Sequence, residues 1–324
     1  MKVFRTPLPP LEYPSQINYP QSLLSLGSCF AEHIGSRLQT LQLPMLLNPF
    51  GILFNPLSIA QNLQHLLHKK TYRPTDLFEH QGLWHSFDHH SAFSHPDPQQ
   101  ALQRIQQSID LAHAQLQQLD WLFITLGTAY VFKHQTTERI VANCHKLPAN
   151  QFHHYRLSPA TIYESLAPVI SDLKELRPNL QIVLSISPVR HLRTGIMENQ
   201  RSKAALLLAQ DALCRDFKDI HYFPAYEIVL DELRDYRFYA TDYAHPSEEA
   251  IEYIWTRFQQ SLCSPTAQQI MKEIEPLLKS SQHRPRFPHS PQHQQFKAKQ
   301  LIKVDELERK YPFLKLKGIR ARFE

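Results

Sequence analysis

Two short segments constrain this chain more than anything else in it. Trp121–Leu126 (WLFITL) and Gln181–Ile186 (QIVLSI) are apolar almost without interruption, lacking the alternation of a strand with one wet face. Runs of this kind are strands buried on both faces, and such strands need helices packed on each side of the sheet. Shorter strand candidates stand at Ser22–Leu26, Leu43–Leu47 and His221–Phe223, and the Gln181 strand extends to Ser187. Between them, apolar residues recur at three-to-four spacing in Phe30–Leu41, Pro56–Leu67, Pro98–Gln118, Pro159–Leu176, Ser202–Phe217 and Ser247–Leu262. Proline or serine opens most of these segments, as helix starts require. The alternation predicts an α/β fold, a three-layer α/β/α sandwich with a central parallel sheet whose ligands bind at the carboxyl ends of the strands.

Composition excludes several functions. Seven glycines in 324 residues, where about 7% is usual, are too sparse for GxGxxG or a Walker loop, so dinucleotide and P-loop nucleotide binding are excluded. The four cysteines, Cys29, Cys144, Cys214 and Cys263, include no CxxC pair, and no HExxH or HxH occurs among the 19 histidines. Neither metal nor cofactor is expected. No apolar run approaches the roughly 18–20 residues of a membrane span, and the chain start lacks the apolar region of a signal peptide, so a cytoplasmic protein is expected.

Charge divides the chain. Residues 264–324 carry 13 Lys and Arg against 6 Asp and Glu, whereas residues 1–263 carry 22 against 24. A division is expected between an α/β domain, 1–263, and a C-terminal extension, 264–324. The extension comprises a short helix near Ala267–Leu278, an exposed linker at Ser280–Gln295 and an amphipathic segment at Phe296–Leu314 that docks back or on a partner. Without an aromatic-interleaved motif its basic excess reads as a solvated arm, and nucleic-acid binding is not expected. The oligomeric state is not legible.

Two motifs carry chemistry. Leu26–Ala31 (LGSCFA) lies where the first strand turns into a helix, so a nucleophile there projects beside free N–H groups at the positive end of the helix dipole, a setting that lowers a thiol's pKa. Asp242–Pro246 (DYAHP) places a carboxylate three residues before His245, as needed to orient a histidine acting as general base.

With Gly27-Ser28-Cys29-Phe30-Ala31 the chain resembles the GSCFA family, related to the SGNH or GDSL hydrolases. The resemblance extends through Asn48–Pro56, Trp84–His89, Thr125–Ala129, Asn143–Lys146, Ser187–His191, Tyr222–Pro224, Asp235–Arg237, Asp242 and His245-Pro246, about residues 22–260. It implies an SGNH-like fold with flavodoxin-like strand order. By the family pattern Cys29 stands at the nucleophile position, while a register shifted by one makes it Ser28. Gly51 matches the glycine whose N–H helps form the oxyanion hole. The third block reads Gly127-Thr128-Ala129 where the pattern has an Asn, a donor worth about 3–4 kcal/mol, and Asn143, His89 and Thr128 are the candidate replacements. His145 adds polar character beside Asn143, and Arg190 with His191 stands where an anionic substrate would be held, or else Arg190 pairs with acids of Tyr226–Asp235.

The resemblance thus implies an acyl-ester enzyme, esterase, deacylase or acyltransferase, on a small-molecule or carbohydrate acyl ester. Cys29 or Ser28 attacks, His245 is base and acid, Asp242 orients it, and Ser28, Gly51 and Gly127, with Gly27 and Thr128, line the oxyanion pocket. The missing Asn motivates the alternative, a non-catalytic descendant that binds a small molecule or a protein in the same cleft.

Overall fold

The computed structural model describes residues 5–283 and 286–324. Residues 1–4, within the start read above as lacking a signal sequence, and 284–285, within the expected linker, lie outside them. The central sheet contains β1 (Leu23–Gly27), β2 (Met45–Leu47), β3 (Trp121–Leu126), β4 (Gln181–Ile186) and β5 (Ile220–Phe223). All pair in parallel, in the order β2-β1-β3-β4-β5. This is the flavodoxin-like order, and its direction reverses between β1 and β3, so the loops leaving those two strands part and open a crevice at their carboxyl ends.

The uninterrupted apolar runs have the expected cause. With period two, Leu24, Leu26, Leu122, Ile124, Leu126, Ile182, Leu184 and Ile186 face one helical layer, while Leu23, Trp121, Phe123 and Val183 face the other. The first layer holds α2 (Pro56–Leu67), α3 (Pro98–Leu116), α4 (Pro159–Leu176) and α5 (Ile196–Asp216). The second holds α1 (Cys29–Thr40), α6 (Glu248–Leu262), α7 (Pro265–Ser281) and α8 (Pro291–Lys310). Asn55, Asp97, Ser158, Ser247, Ser264 and Ser290 each cap their helix by accepting a hydrogen bond from a first-turn amide. Ser28, before α1, makes no such bond.

The basic extension is not a solvated arm. Val304 and Leu307 of α8, with Leu314, Leu316, Ile319 and Phe323 beyond it, join α7, Trp121 and Phe258 in one core, and Phe313 stacks on Tyr19. Part of its charge is spent locally: Lys310 pairs with Glu273, and Arg320 with Asp305 and Glu308. α8 starts inside the expected linker, whose residues 286–289 are exposed. Among the described residues no helix is long and apolar enough to cross a membrane.

Two small sheets escape the strand reading, the hairpin 78–80/83–85 and the three-stranded sheet 130–134/140–141/152–156. A buried carboxylate, Asp88, ties these additions to α2. It accepts from Arg139 at 2.8 Å, Gln61 at 2.9 Å, and Lys70 and the Tyr72 hydroxyl at 3.1 Å. Burial opposes its ionisation, but Lys70, Arg139 and His65 outweigh burial and hold the carboxyl below its ordinary value. Asp88→Ala removes the shared partner of these cations; because Lys70 keeps Asp76 at 3.9 Å and Lys70 and Arg139 can turn toward water, the expected loss is about 2 kcal/mol, below the 3–5 of a fully enclosed pair. The contribution of Asp88 is present above the unfolded aspartate value of about 3.9 and disappears as pH falls through the lowered folded one. Chemical denaturation at pH 7 and pH 3 checks both: the gap between wild type and variant should narrow at the lower pH.

Candidate functional site

Gly27 ends β1 with φ +150°, its N–H donating to Asn48 Oδ1 at 2.9 Å and its carbonyl accepting from Leu53 N at 2.9 Å. Asn48 also donates to Glu32 Oε1 at 3.3 Å, so the loop after β2 clamps the turn that presents α1. Ser28 is 1% exposed, and its Oγ is buried without a partner. Cys29, the first residue of α1, is half-buried. The free first-turn N–H groups of Phe30 and Cys29 favour its thiolate form. Because Ser28 does not cap the helix, these first-turn amides are left for a ligand.

The expectation that this position lowers the thiol's pKa is overturned in net sign. Burial raises Cys29, and the N–H groups of Phe30 and Cys29 and the charge of Lys203 offset only part of that. The other cysteines lack those offsetting N–H groups and rise further, Cys144 and Cys214 up to about 11 and Cys263 to about 12, chiefly through burial.

In the loop before α6, His245 Nδ1 lies 2.6 Å from Asp242 Oδ2, while Asp242 Oδ1 accepts from the amides of Ala244 at 2.9 Å and His245 at 3.0 Å. These amides, then the imidazole, hold the Asp242 carboxyl down at about 2, so it stays ionised through the neutral range. The loop is seated by Arg190 N donating to Ala244 O at 3.0 Å. His33 of α1, lowered chiefly by burial, and His191 beyond β4, pushed down by burial to about 4, both lie within electrostatic range of His245. Among the described residues no hydrogen bond joins Cys29 Sγ to His245.

Other expected donors are already committed. The Gly51 amide donates to Asn48 O at 2.6 Å, and those of Gly127 and Thr128 to Phe54 O at 2.8 and 3.0 Å. The Thr128 hydroxyl is 3.1 Å from Ser202 Oγ and accepts from Tyr130 N at 3.1 Å. Gly51 and Gly127 therefore shape the loops, and their N–H groups are not oxyanion donors in this arrangement. His89 and His145 are removed from the crevice. His89 is wholly buried among Phe50, Tyr72 and Phe93 with Nδ1 on Ser86 Oγ at 3.0 Å. His145 is 2.8 Å from Ser86 O through Nε2 and packs on His85 and Phe78. Arg190 takes no acid of Tyr226–Asp235; its guanidinium lies 4.0 Å over Tyr239 and donates to Tyr243 O at 3.3 Å.

Asn143 and Thr128 line a cleft of about 350 Å³ beside the crevice, walled by Phe54, Tyr130, His154 and Arg193. His191 closes its inner end: the ring meets Phe54 edge-on at 5.7 Å, and Nε2 is buried without a partner beside Gly127. Sequence reading missed Lys203, a fully buried amine that donates to Gly127 O at 2.7 Å and Ser187 O at 2.6 Å. Its signal was a polar stripe, Asn199, Ser202, Lys203 and Gln210, at helical spacing on the buried face of α5. No group of three or more His, Cys, Asp or Glu able to hold a metal occurs among the described residues.

The GSCFA family model matches residues 22–258, and the model of the GSCFA domain protein C-terminal domain matches residues 274–324. The comparison with curated proteins returned no match. Among solved structures, one from Streptococcus pneumonia described as a candidate platelet activating factor aligns at 13% identity and TM-score 0.39, over 74% of this chain and 83% of that one. That likeness is too low to bear on function.

Proposed function

The chain belongs to the GSCFA family, and from that premise we propose that it is an SGNH-like acyl-ester enzyme with Cys29 as nucleophile. The observation that carries the reading is the Asp242–His245 pair, closed at 2.6 Å in the loop before α6. Sγ attacks the ester carbonyl, forming an S–C bond as the C=O electron pair moves onto oxygen, with the thiol proton passing to His245. Collapse breaks the C–O bond, and His245 returns the proton to the departing alcohol. The thioester left on Cys29 is released by water or by an acceptor alcohol, deprotonated in turn by His245. Hydrolysis and acyl transfer share every step but the last.

The first-turn amides of Cys29 and Phe30 are the oxyanion donors in this scheme, taking the place of the missing Asn. The aromatic and polar walls of the cleft, Phe54, Tyr130, His154, Asn143 and Arg193, suit the acyl or sugar portion of a carbohydrate ester. Ser28 is the weaker nucleophile candidate because its hydroxyl is buried.

Timed iodoacetamide labelling at neutral pH tests the activated thiol. Cys29 should react faster than Cys144, Cys214 and Cys263, whose thiols burial raises further. His245→Ala should slow ester turnover about a hundredfold. The raised thiol, with no hydrogen bond to His245, favours a second reading, a binding cleft without catalysis. Equal labelling of all four cysteines together with no turnover of activated esters would establish that reading instead.

A further inference from the structure

The cleft beside the crevice carries a charge that the acyl-transfer reading leaves unassigned. Arg193 stands exposed at its mouth, two residues beyond His191 at the inner end. The guanidinium lies 5.2 Å over the ring of Phe132, which stacks on His154 at 4.2 Å, as His154 does on Tyr130 at 4.8 Å. This column of rings walls the cleft and supports the guanidinium at its end, with the N–H edge left for an acceptor. Among the described residues Arg193 enters no ion pair or hydrogen bond, and no Asp or Glu lines the cleft. The carboxylate on this side, Glu198, is already shared by the Tyr130 hydroxyl at 2.5 Å, Arg156 at 3.2 Å and Arg201. Two more polar groups are unspent. Asn143 Oδ1 accepts from His145 N at 2.8 Å, which leaves its Nδ2 to donate, and His191 Nε2 is buried without a partner. Backbone contacts join the cleft to the turn that presents Cys29: Leu53 N donates to Gly27 O at 2.9 Å, and Phe54 O accepts from the amides of Gly127 and Thr128.

We propose that this cleft takes the acyl part of an ester whose far end carries a carboxylate, with Arg193 as the specificity-determining residue that binds it. The inference rests on the acyl-ester reading and narrows its substrate to acyl groups derived from dicarboxylic acids. The ester carbonyl stays at the crevice, the chain lies between Phe54 and the column of rings, and the carboxylate meets the guanidinium, with Asn143 Nδ2 as a further donor. A guanidinium edge matches the two coplanar oxygens of a carboxylate, whereas a phosphate, with three oxygens and up to two charges, leaves part of its charge unmatched by one cation. The volume of about 350 Å³ stands at the small end of ligand sites, about 300–1,000 Å³, and suits a short chain. Arg190 does not compete for the role, since its guanidinium is engaged by Tyr239 and the Tyr243 carbonyl.

Turnover of mono-p-nitrophenyl adipate is compared with that of p-nitrophenyl hexanoate, which has the same chain length and no charge. The charged ester should be favoured about tenfold in kcat/KM, chiefly through KM, and Arg193→Gln should abolish that preference while Arg193→Lys keeps part of it. A second measurement needs no turnover. Cys144 lines the cleft and Cys214 does not, so free adipate should slow alkylation of Cys144 by iodoacetamide several-fold and leave Cys214 unchanged. Neither adipamide nor inorganic phosphate should match it, and the protection should vanish in Arg193→Gln. Equal kcat/KM for the two esters, protection by adipamide or phosphate as strong as by adipate, or protection unchanged in Arg193→Gln overturns the proposal. The comparison of adipate with adipamide in wild type stands even if a variant does not fold. Protection of Cys144 that depends on Arg193, with no ester turned over, would sink the enzymatic reading and leave the carboxylate site standing; equal turnover of both esters would do the reverse.

Discussion

Cys29→Ala is expected to leave the fold intact and to lower ester turnover by about four to six orders of magnitude, as removal of a covalent nucleophile does in other acyl-transfer enzymes. Cys29 is half-buried at the start of α1, so losing one sulfur there costs little packing. Its neighbour cannot replace it: Ser28 is 1% exposed and its Oγ is enclosed. Ser28→Ala should therefore retain most activity, and because it removes a buried hydroxyl that makes no hydrogen bond it should not destabilise the fold. Steady-state hydrolysis of an activated ester by the two variants, with thermal melts alongside, checks the pair. Loss of activity in Ser28→Ala with Cys29→Ala still active would move the nucleophile one residue back.

The second large effect belongs to Gly27. A Cβ at this position would lie 2.3 Å from Thr125 O and 2.9 Å from Thr125 N, on a backbone at φ +150°. Neither the clash nor the dihedral can be relieved by a rotamer, because the obstacle is the main chain of β3, paired with β1 in parallel register. Gly27→Ala is expected to cost about 3 kcal/mol. It should also reduce turnover in whatever fraction stays folded, since the crevice is formed where β1 and β3 part and the turn it strains presents Cys29. Chemical denaturation gives the first number, and turnover per folded molecule, from active-site titration, gives the second.

Much of this fold could be read from the chain. Trp121–Leu126 and Gln181–Ile186 are apolar because both faces are covered, and serine, asparagine or aspartate stands at the helix starts because first-turn amides need acceptors. The Asp242–His245 pair was legible because its two members are three residues apart in one loop. What escaped depends on contacts between segments distant in sequence. The Gly51 and Gly127 amides look like free donors until Asn48 O and Phe54 O arrive to accept from them. His89 and His145 look like site residues until their rings are found packed against other aromatics. The helix N-terminus was rightly seen as favouring a thiolate, but burial of the same sulfur, which depends on what packs over it, outweighs that effect. Lys203 was overlooked because its polar stripe, Asn199, Ser202, Lys203 and Gln210, reads in the sequence as a solvated face of α5, and only packing turns it inward. The basic tail misled through composition: its charge lies on the outer side of helices whose inner side, Val304, Leu307 and Ile319, joins the core.

The central claim is that an acyl group passes through the sulfur of Cys29. Rapid quenching of the protein with p-nitrophenyl acetate, followed by intact and peptide mass measurement, addresses it directly. A single acetyl group is expected on the peptide bearing Cys29, removed by hydroxylamine at neutral pH as a thioester is, accumulating more slowly in His245→Ala and absent from Cys29→Ala. An acetyl group on Ser28, an even spread over Cys144, Cys214 and Cys263, or a rate indifferent to His245 would contradict the account.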